Sequence, residues 1–518
     1  MNESRIKKSW LNAKVNLIVY FTTLPLTFFS RKIFLDSLGA DFIGLTGTLQ
    51  NLLGFLNLAE LGIGSAIGYV LYKPLFDQDK CKINEIISVF GYLYRNIGLI
   101  ILGAGIILGG CLPFIFPRGE FDMGVIYFAY ISFLTSTLIG YFINYRQTLL
   151  GADQKNYIVT AYFQTANLLK IGIQMVCAWK TGNYYLWIGI ELFFGIIYSI
   201  ILNYKINKVY PWLKSEIREG KLLFKKYPEV MKYTKQIFVH KVGDAIQFQT
   251  TPSLIYLFVS LSEVAFYGNY EMIRSKIVTL INGILSSTEA GIGNLIAENN
   301  INKNLQIFWE LFATRFFIVG FFCFNFYMLM EGFIALWLGD KYILPHIILI
   351  LILCDFFIHI IGGIFNQFLN GYGLFYDIWS PIAGAVLFII IAVSCGYLMG
   401  LKGILLGSIL SSLVIVSIWK PYFLFKKGFK ISVLLYWKEW IKYCGLMAIS
   451  FVVVNYVMKM IVPFLPSNGW FNWLCYAGMI NILFCPIYFI FLYVWGRGMS
   501  GLVKRILHKK LERDKFIQ

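Results

Sequence analysis

Residues 343–370 read ILPHIILILILCDFFIHIIGGIFNQFLN, and Asp355 is the only acidic or basic side chain among them apart from two histidines. A helix needs roughly 20 apolar residues to cross a bilayer, so this stretch predicts a membrane span. Thirteen stretches of similar character flank it. The fourteen predicted spans are 12–33, 42–71, 84–112, 123–147, 157–179, 184–206, 236–259, 265–297, 304–330, 343–370, 378–398, 402–424, 437–461 and 471–495.

The composition of the whole chain agrees with this prediction. The 518 residues are 58% hydrophobic and 14% charged, whereas soluble domains are about 25% charged. We therefore predict one all-α integral membrane protein. The connections between spans are too short for a soluble catalytic domain, and the sequence contains no HExxH, GxSxG or phosphate-binding glycine loop. We expect no enzymatic activity, no catalytic residue, no cofactor and no metal.

Two sequence features could suggest other chemistry. The nine cysteines are scattered and form no CxxC pair, so we interpret them as small apolar side chains rather than a disulfide framework or a metal site. Asp77-Gln78-Asp79 resembles the DxD motif of glycosyltransferases, but no nucleotide-binding domain accompanies it. We assign it no catalytic role.

The basic residues predict the orientation. With fourteen spans and a cytoplasmic N-terminus, 32 of the 45 Lys and Arg residues fall in cytoplasmic segments and 7 in outer loops, as the positive-inside rule requires. Both termini are then cytoplasmic. Because basic loops facing anionic lipids explain the net charge of +18, membrane lipids are the expected partners and nucleic acid is not.

An internal repeat divides the chain. Glu60-Leu61-Gly62-Ile63-Gly64 matches Glu289-Ala290-Gly291-Ile292-Gly293, the stretch 147–151 matches 367–371, and Arg95 matches Arg315. These offsets of 220 to 229 residues equal six spans, so the halves are parallel repeats, a transporter architecture with its ligand between the halves. We predict lobes at 1–207 (spans 1–6) and 236–425 (spans 7–12), a cytoplasmic basic linker at 208–235, two additional spans within 426–495 and a basic tail at 496–518.

Polar residues follow one face of spans 1, 2, 7 and 8, which are equivalent helices of the two halves. We favour a shared aqueous cavity, and hydrogen bonding between packed helices is the alternative. The cavity-lining candidates are Asn16, Tyr20, Thr23, Thr27, Gln247 and Asn282.

Charged residues within spans are expected to be paired or functional. Similar depths predict two equivalent ion pairs, Glu60–Arg95 and Glu289–Arg315, although a substrate role for either arginine stays open. Lys170 and Glu191, on adjacent spans, are expected to be structural partners.

Three cations are candidates for binding an anionic ligand, namely Arg31, Lys241 and Arg274. An arginine can hold a phosphate through two parallel hydrogen bonds. The alternative is internal neutralisation, because Glu271 precedes Arg274 by three residues and Asp244 follows Lys241 by three.

Asp355 and His359 lie four residues apart on one face of the tenth span. We interpret them as a satisfied pair in the protein interior. A protonation site that couples transport to an ion gradient is the alternative, with Asp244 as a further candidate.

Seven segments spread over the chain resemble Wzx-type polysaccharide flippases of the multidrug/oligosaccharidyl-lipid/polysaccharide (MOP) exporter superfamily, which also contains the MATE drug exporters and lipid II flippases. These segments are FSRK (29–32), LGADFIG (38–44), ELGIGSA (60–66), LYKPL (71–75), YR (94–95), LGADQKNY (150–157) and LWLGDKY (336–342).

This resemblance implies two six-helix lobes around a central cavity and alternating access. It also implies transport of an undecaprenyl-pyrophosphate-linked oligosaccharide across a bacterial cytoplasmic membrane, with Arg31 and Arg274 holding the pyrophosphate. Other membrane proteins of polysaccharide assembly are further candidate partners. A MATE-like drug or metabolite antiporter is the main alternative, and a membrane glycan polymerase or ligase is a weaker one.

Overall fold

The structure is a computed structural model that describes residues 5–60, 63–117, 119, 121–153, 155–285, 288–298, 300–374, 377, 379–461, 466–505 and 507. In these ranges every regular element is a helix and no strand occurs. The predicted fold class is confirmed: the chain is an all-α, multi-pass membrane protein.

The chain divides into two compact units, Met1–Ala265 and Phe266–Gln518. The lobe limits predicted from the repeat stay a prediction. The helices of the first unit are α1 (Arg5–Leu38), α2 (Ala40–Leu56), α3 (Ile63–Asp77), α4 (Lys80–Ile115), α5 (Met123–Phe142), α6 (Gln147–Ala152), α7 (Asn156–Thr181), α8 (Tyr184–Val209), α9 (Gly220–Lys226) and α10 (Pro228–Phe258).

The second unit begins within helix α11. Its helices are α11 (Leu261–Leu285), α12 (Glu289–Ala297), α13 (Ile301–Leu338), α14 (His346–Gly371), α15 (Trp379–Met399), α16 (Leu401–Ser412), α17 (Lys420–Phe423), α18 (Leu434–Ile461) and α19 (Trp470–Trp495). Two π-helical stretches, Leu413–Trp419 and Leu424–Phe429, extend α16 and α17 into one span over residues 401–429.

Ten helices of the described chain are long and apolar enough to cross a membrane. They correspond to ten of the fourteen predicted spans. The other four predicted spans correspond to α2 with α3, α7, α10, and α11 with α12. Three of these four are spans 2, 7 and 8, whose sequences carry polar residues along one face.

The second and eighth spans, each predicted as one helix, are each interrupted. A 3₁₀ turn, Asn57–Glu60, follows α2 and ends the first half of its span. At the equivalent place in the second unit, the Thr288 hydroxyl donates to the Leu285 carbonyl at 2.7 Å. Hydropathy alone does not reveal either interruption.

Each unit has its own packed interior. In the first unit α10 packs against α2 and α3. The start of α11 approaches α2 so closely that a Cβ on Gly44 would lie 2.0 Å from the Leu261 carbonyl oxygen, so only glycine fits there. In the second unit, α13 carries a row of aromatic rings that pack on α14, α18 and α19.

Candidate functional site

Arg274 is the centre of a buried charged cluster in the second unit. Its side chain on α11 is 8% exposed, and its Nε and Nη2 donate to the two carboxylate oxygens of Glu271 at 2.7 and 2.8 Å. Its Nη1 donates to Asp355 Oδ2 on α14 at 3.2 Å. Of the two alternatives for Arg274, the contacts with Glu271 and Asp355 correspond to internal neutralisation.

Asp355 links this cluster to two further groups. The Ser408 hydroxyl on α16 donates to Asp355 Oδ1 at 2.6 Å, and His359 Nδ1 lies 3.7 Å from Asp355 Oδ2. The predicted proximity of Asp355 and His359 is therefore present. One arginine therefore faces two carboxyl groups in this cluster.

Of the other two candidate cations, Arg31 and Lys241, the structure describes only the side chain of Arg31. Arg31, on α1, is half-buried and donates from Nη2 to the Ala265 carbonyl at 2.9 Å. The side chains of Lys241, Asp244 and Gln247 lie outside the described residues. Ligand binding by these residues stays a prediction.

The polar stripe of α1 is partly satisfied by its own helix. Thr23 donates to the Val19 carbonyl at 2.8 Å and Thr27 to the Thr23 carbonyl at 2.7 Å. Tyr20 is half-buried, whereas Asn16 and, on α11, Asn282 are exposed. The exposed amides are therefore the predicted lining groups that remain accessible to water or a ligand.

The predicted Glu60–Arg95 ion pair is wrong. Glu60 accepts hydrogen bonds from the hydroxyls of Tyr94 and Tyr141, the latter at 2.7 Å, and Arg95 is exposed, with no ion pair to Glu60. Tyr94 and Arg95 lie at the same depth, but consecutive residues point about 100° apart around a helix. Depth estimated from sequence does not distinguish them.

The second predicted pair, Glu289–Arg315, falls on a side chain, Glu289, that lies outside the described residues. Arg315 is 3% exposed and donates to the Ile360 carbonyl at 2.8 Å and to Gln367 Oε1 at 2.9 Å. Gln367 in turn donates to the Leu285 carbonyl at 3.0 Å, at the end of α11.

In both units, polar groups from neighbouring spans therefore hold the end of the interrupted helix. The groups differ, with tyrosines on Glu60 in the first unit and Arg315 with Gln367 in the second. Tyr141 and Ser408 were missed by sequence reasoning, since nothing in their spacing marks them, and Tyr94 was noted only as part of the YR segment (94–95), not as a partner of Glu60. Gln367 lies in the repeated 367–371 motif, which could have signalled its role.

Direct contacts also describe the predicted Lys170–Glu191 pair and the Asp77-Gln78-Asp79 segment. Lys170 and Glu191 form the predicted ion pair at 2.7 Å, and Gln174 donates to the same carboxylate at 3.2 Å. Asp77-Gln78-Asp79 is a turn in which Asp79 caps α4 by accepting the Lys82 amide hydrogen at 3.0 Å. That backbone hydrogen bond holds the pKa of the Asp79 carboxyl below its ordinary value.

Solved structures similar to this chain are membrane transporters. The lipid II flippase MurJ, in an inward closed conformation, matches with a TM-score of 0.66 at 14% identity, over 93% of this chain and 99% of the MurJ chain. An inward-facing multidrug resistance MATE family transporter of the MOP superfamily matches with a TM-score of 0.55 at 14% identity, over 79% and 97%. The chain has the fold that these transporters share.

Comparisons of the sequence with protein-family models and with curated proteins gave no match. The similarity to solved structures therefore concerns the fold, and the Wzx-type resemblance belongs to the proposal that follows.

Proposed function

We propose that this protein is a flippase that moves an undecaprenyl-pyrophosphate-linked oligosaccharide repeat unit from the inner to the outer leaflet of a bacterial cytoplasmic membrane. The observation that carries this proposal is the likeness to MurJ over nearly the full length of both chains. One of the two similar structures is a lipid II flippase and the other is a multidrug transporter. The match to the flippase is higher in TM-score and leaves 7% rather than 21% of this chain uncovered.

A MATE-like antiporter is the second candidate, favoured by the TM-score of 0.55 to such a transporter. The number of cations in the predicted spans and basic loops, and the Wzx-like segments, favour the flippase. A glycan polymerase or ligase is less well supported, since such enzymes normally need a sizeable external loop and the predicted outer loops are short.

Within this proposal Arg31, Lys241 and Arg274 are the cations for the pyrophosphate. Arg274 can bind an anion only if one of its two carboxylate partners releases it. Protonation of Asp355, relayed by His359, would remove one negative charge and free the Nη1 group for a phosphate oxygen. Among the described residues, the ionisable groups within ion-pair distance of Asp355 are Arg274 on α11 and His359 on α14.

The proposal also includes alternating access between the two predicted lobes, a cytoplasmic position for both termini, and a role in cell-surface polysaccharide biosynthesis. The predicted division into lobes at 1–207 and 236–425 is part of it. Both six-span repeats point the same way across the membrane because six is an even number.

Deletion of the gene followed by analysis of lipid-linked sugars tests the function. We expect single repeat units linked to undecaprenyl pyrophosphate to accumulate in the cytoplasmic leaflet only. They should be accessible on inverted membrane vesicles, whose outer surface is the cytoplasmic face, and should disappear on complementation. Single units displayed on the outer face would instead indicate a polymerase. Unchanged lipid-linked sugars together with increased drug sensitivity would favour the antiporter.

A further inference from the structure

A cavity of about 320 Å³ lies in the second unit, where the start of α13 meets the segment that follows α19. It is separate from the Arg274 cluster in sequence, and the proposed transport mechanism uses none of its residues. Polar side chains dominate its lining. The lining includes Asn302, Gln306, Trp309, Glu310, Arg497 and Ser500.

The length of α13 predicts that the cavity lies at the depth of lipid headgroups. Helix α13 has 38 residues, so at a rise of 1.5 Å per residue it is about 57 Å long. Trp309 is then about 44 Å from the far end of α13, which matches the roughly 40–45 Å between the outer limits of the two headgroup layers. Trp495, the exposed last residue of α19, lies beside Arg497 in sequence and fits the interfacial aromatic belt.

The acidic group of the cavity is already neutralised. Glu310 is 1% exposed, forms an ion pair with Arg505 and accepts a hydrogen bond from Gln306 Nε2 at 3.1 Å. A buried carboxylate paired in this way exerts little repulsion on an approaching anion. The charge that the cavity presents is therefore that of its other ionic residue, Arg497.

Arg497 is available for a ligand. Its guanidinium carbon lies 5.2 Å from the centre of the Trp309 ring, a cation–π contact that fixes the group without using its N–H donors. In the described part of the chain no carboxylate lies within ion-pair distance of Arg497, which is exposed. The Trp309 Nε1–H is buried without a hydrogen-bond partner among the described residues.

The backbone next to Arg497 packs closely against α13. Gly498 has φ +103°, and a Cβ there would lie 2.3 Å from the Trp309 carbonyl oxygen. The Tyr443 hydroxyl donates to the Arg497 carbonyl at 2.5 Å. The segment after α19 is thus held against α13, with Arg497 over the ring, by contacts that do not involve the guanidinium itself.

We propose that this cavity binds the phosphate group of an anionic phospholipid, with Arg497 as its principal ligand. An arginine that keeps its donors free binds phosphate through two hydrogen bonds, and a cavity at headgroup depth meets phosphates that belong to lipids. The hydroxyl of Ser500 and the amide of Asn302 suit the hydroxyl-bearing headgroup of phosphatidylglycerol. Basic pockets at this depth are a recurrent form of lipid recognition.

Native mass spectrometry of the full-length, delipidated protein in detergent tests the proposal. The probes are phosphatidylglycerol and phosphatidylcholine at equal concentration. We expect the wild type to retain phosphatidylglycerol in preference, and Arg497→Gln to bind it about tenfold more weakly, the effect of losing a charge-assisted hydrogen bond. Lys427→Gln is the matched control, because it removes an exposed cation of the same predicted side that does not line the cavity.

A second variant keeps the test independent of the stability of Arg497→Gln. Ser500→Asp introduces a negative charge into the cavity lining and is expected to lower phosphatidylglycerol binding to a similar extent. Equal retention of the two lipids by the wild type, or wild-type affinity in both cavity variants, would overturn the proposal. Displacement of the lipid by excess inorganic phosphate would also overturn it, because the site would then take free phosphate.

Discussion

At the scale of the residue, the charges of the Arg274 cluster determine which substitutions in it destabilise the protein. Arg274 faces Glu271 and Asp355. Replacing Arg274 leaves two uncompensated carboxylates in the membrane interior, whereas replacing Glu271 by glutamine leaves a balanced pair. Removing one partner of a buried ion pair is more costly than the net stability of the pair itself.

We therefore expect Arg274→Gln to lower the free energy of unfolding by about 3–5 kcal/mol and Glu271→Gln to lower it by much less. Thermal unfolding of the two purified variants in the same detergent measures the difference. Within the proposed function, Arg274→Gln also loses transport. Equal destabilisation by the two variants would mean that the charge of Arg274 is not what stabilises the cluster.

The environment of Glu60 gives a second prediction at this scale. Tyr141→Phe removes a hydrogen bond to a carboxylate and is expected to destabilise the protein by about 1.5–3 kcal/mol. Arg95→Gln is the control, and because Arg95 is exposed its effect is expected to stay within about 0.5 kcal/mol. Unfolding in denaturant compares them. A larger loss of stability in Arg95→Gln than in Tyr141→Phe would instead support the Glu60–Arg95 ion pair predicted from the sequence.

These clusters mark the limit of what the sequence predicts. The contact of Arg274 with Glu271 and the proximity of Asp355 to His359 were accessible, because each lies within one helical turn. The contacts of Asp355 with Arg274 and Ser408 join three helices, so they depend on how α11, α14 and α16 rotate against one another. Hydropathy gives depth along the membrane normal and not that rotation, which is why Arg95 was preferred over Tyr94.

At the scale of the element, the segment after α19 depends on one glycine. Gly498 combines a positive φ with a carbonyl oxygen 2.3 Å from where a Cβ would lie, whereas Gly478, within α19, has open space around it. Both are glycines of the same region of sequence, so they form a matched pair.

Gly498→Ala is expected to destabilise the protein by about 1–3 kcal/mol through backbone strain and the clash with α13. Gly478→Ala is expected to be neutral or to stabilise by up to about 1 kcal/mol, since alanine has the higher helix propensity. Thermal unfolding monitored by helical circular dichroism distinguishes them. Equal melting temperatures in the two variants would contradict the close approach of this segment to α13.

The boundaries of the helices could also be predicted only in part from the sequence. Composition and length sufficed for the ten helices that are apolar enough to span the bilayer. Composition and length did not reveal that α2 ends at Leu56 or that α11 ends at Leu285, because hydropathy reports how apolar a stretch is and not where its backbone hydrogen bonding changes.

At the scale of the whole molecule, orientation is the property that the basic residues predict and that labelling can measure. Cys81 and Cys111 are both exposed and free. They lie 30 residues apart on α4, about 45 Å at 1.5 Å per residue. The predicted topology puts Cys81 on the cytoplasmic side and Cys111 near the outer face.

Single-cysteine variants that keep either residue test this orientation with a membrane-impermeant maleimide. We expect Cys111 to react in intact cells and Cys81 only after permeabilisation. The reverse pattern would invert the predicted topology and the direction of the proposed transport. Labelling of both in solubilised protein is the control for accessibility.

The uneven hydropathy of the helices has a consequence for biogenesis. Helices α10 and α11 are consecutive, and neither is among the ten that meet the requirements for a span on their own. A polar helix partitions poorly from the translocon into lipid, so this pair has to enter the bilayer together with more apolar neighbours. In the predicted topology the stretch 205–235, which precedes most of α10 and holds nine Lys and Arg residues, is cytoplasmic. Its charge is then expected to oppose translocation and to set the direction in which the pair is inserted.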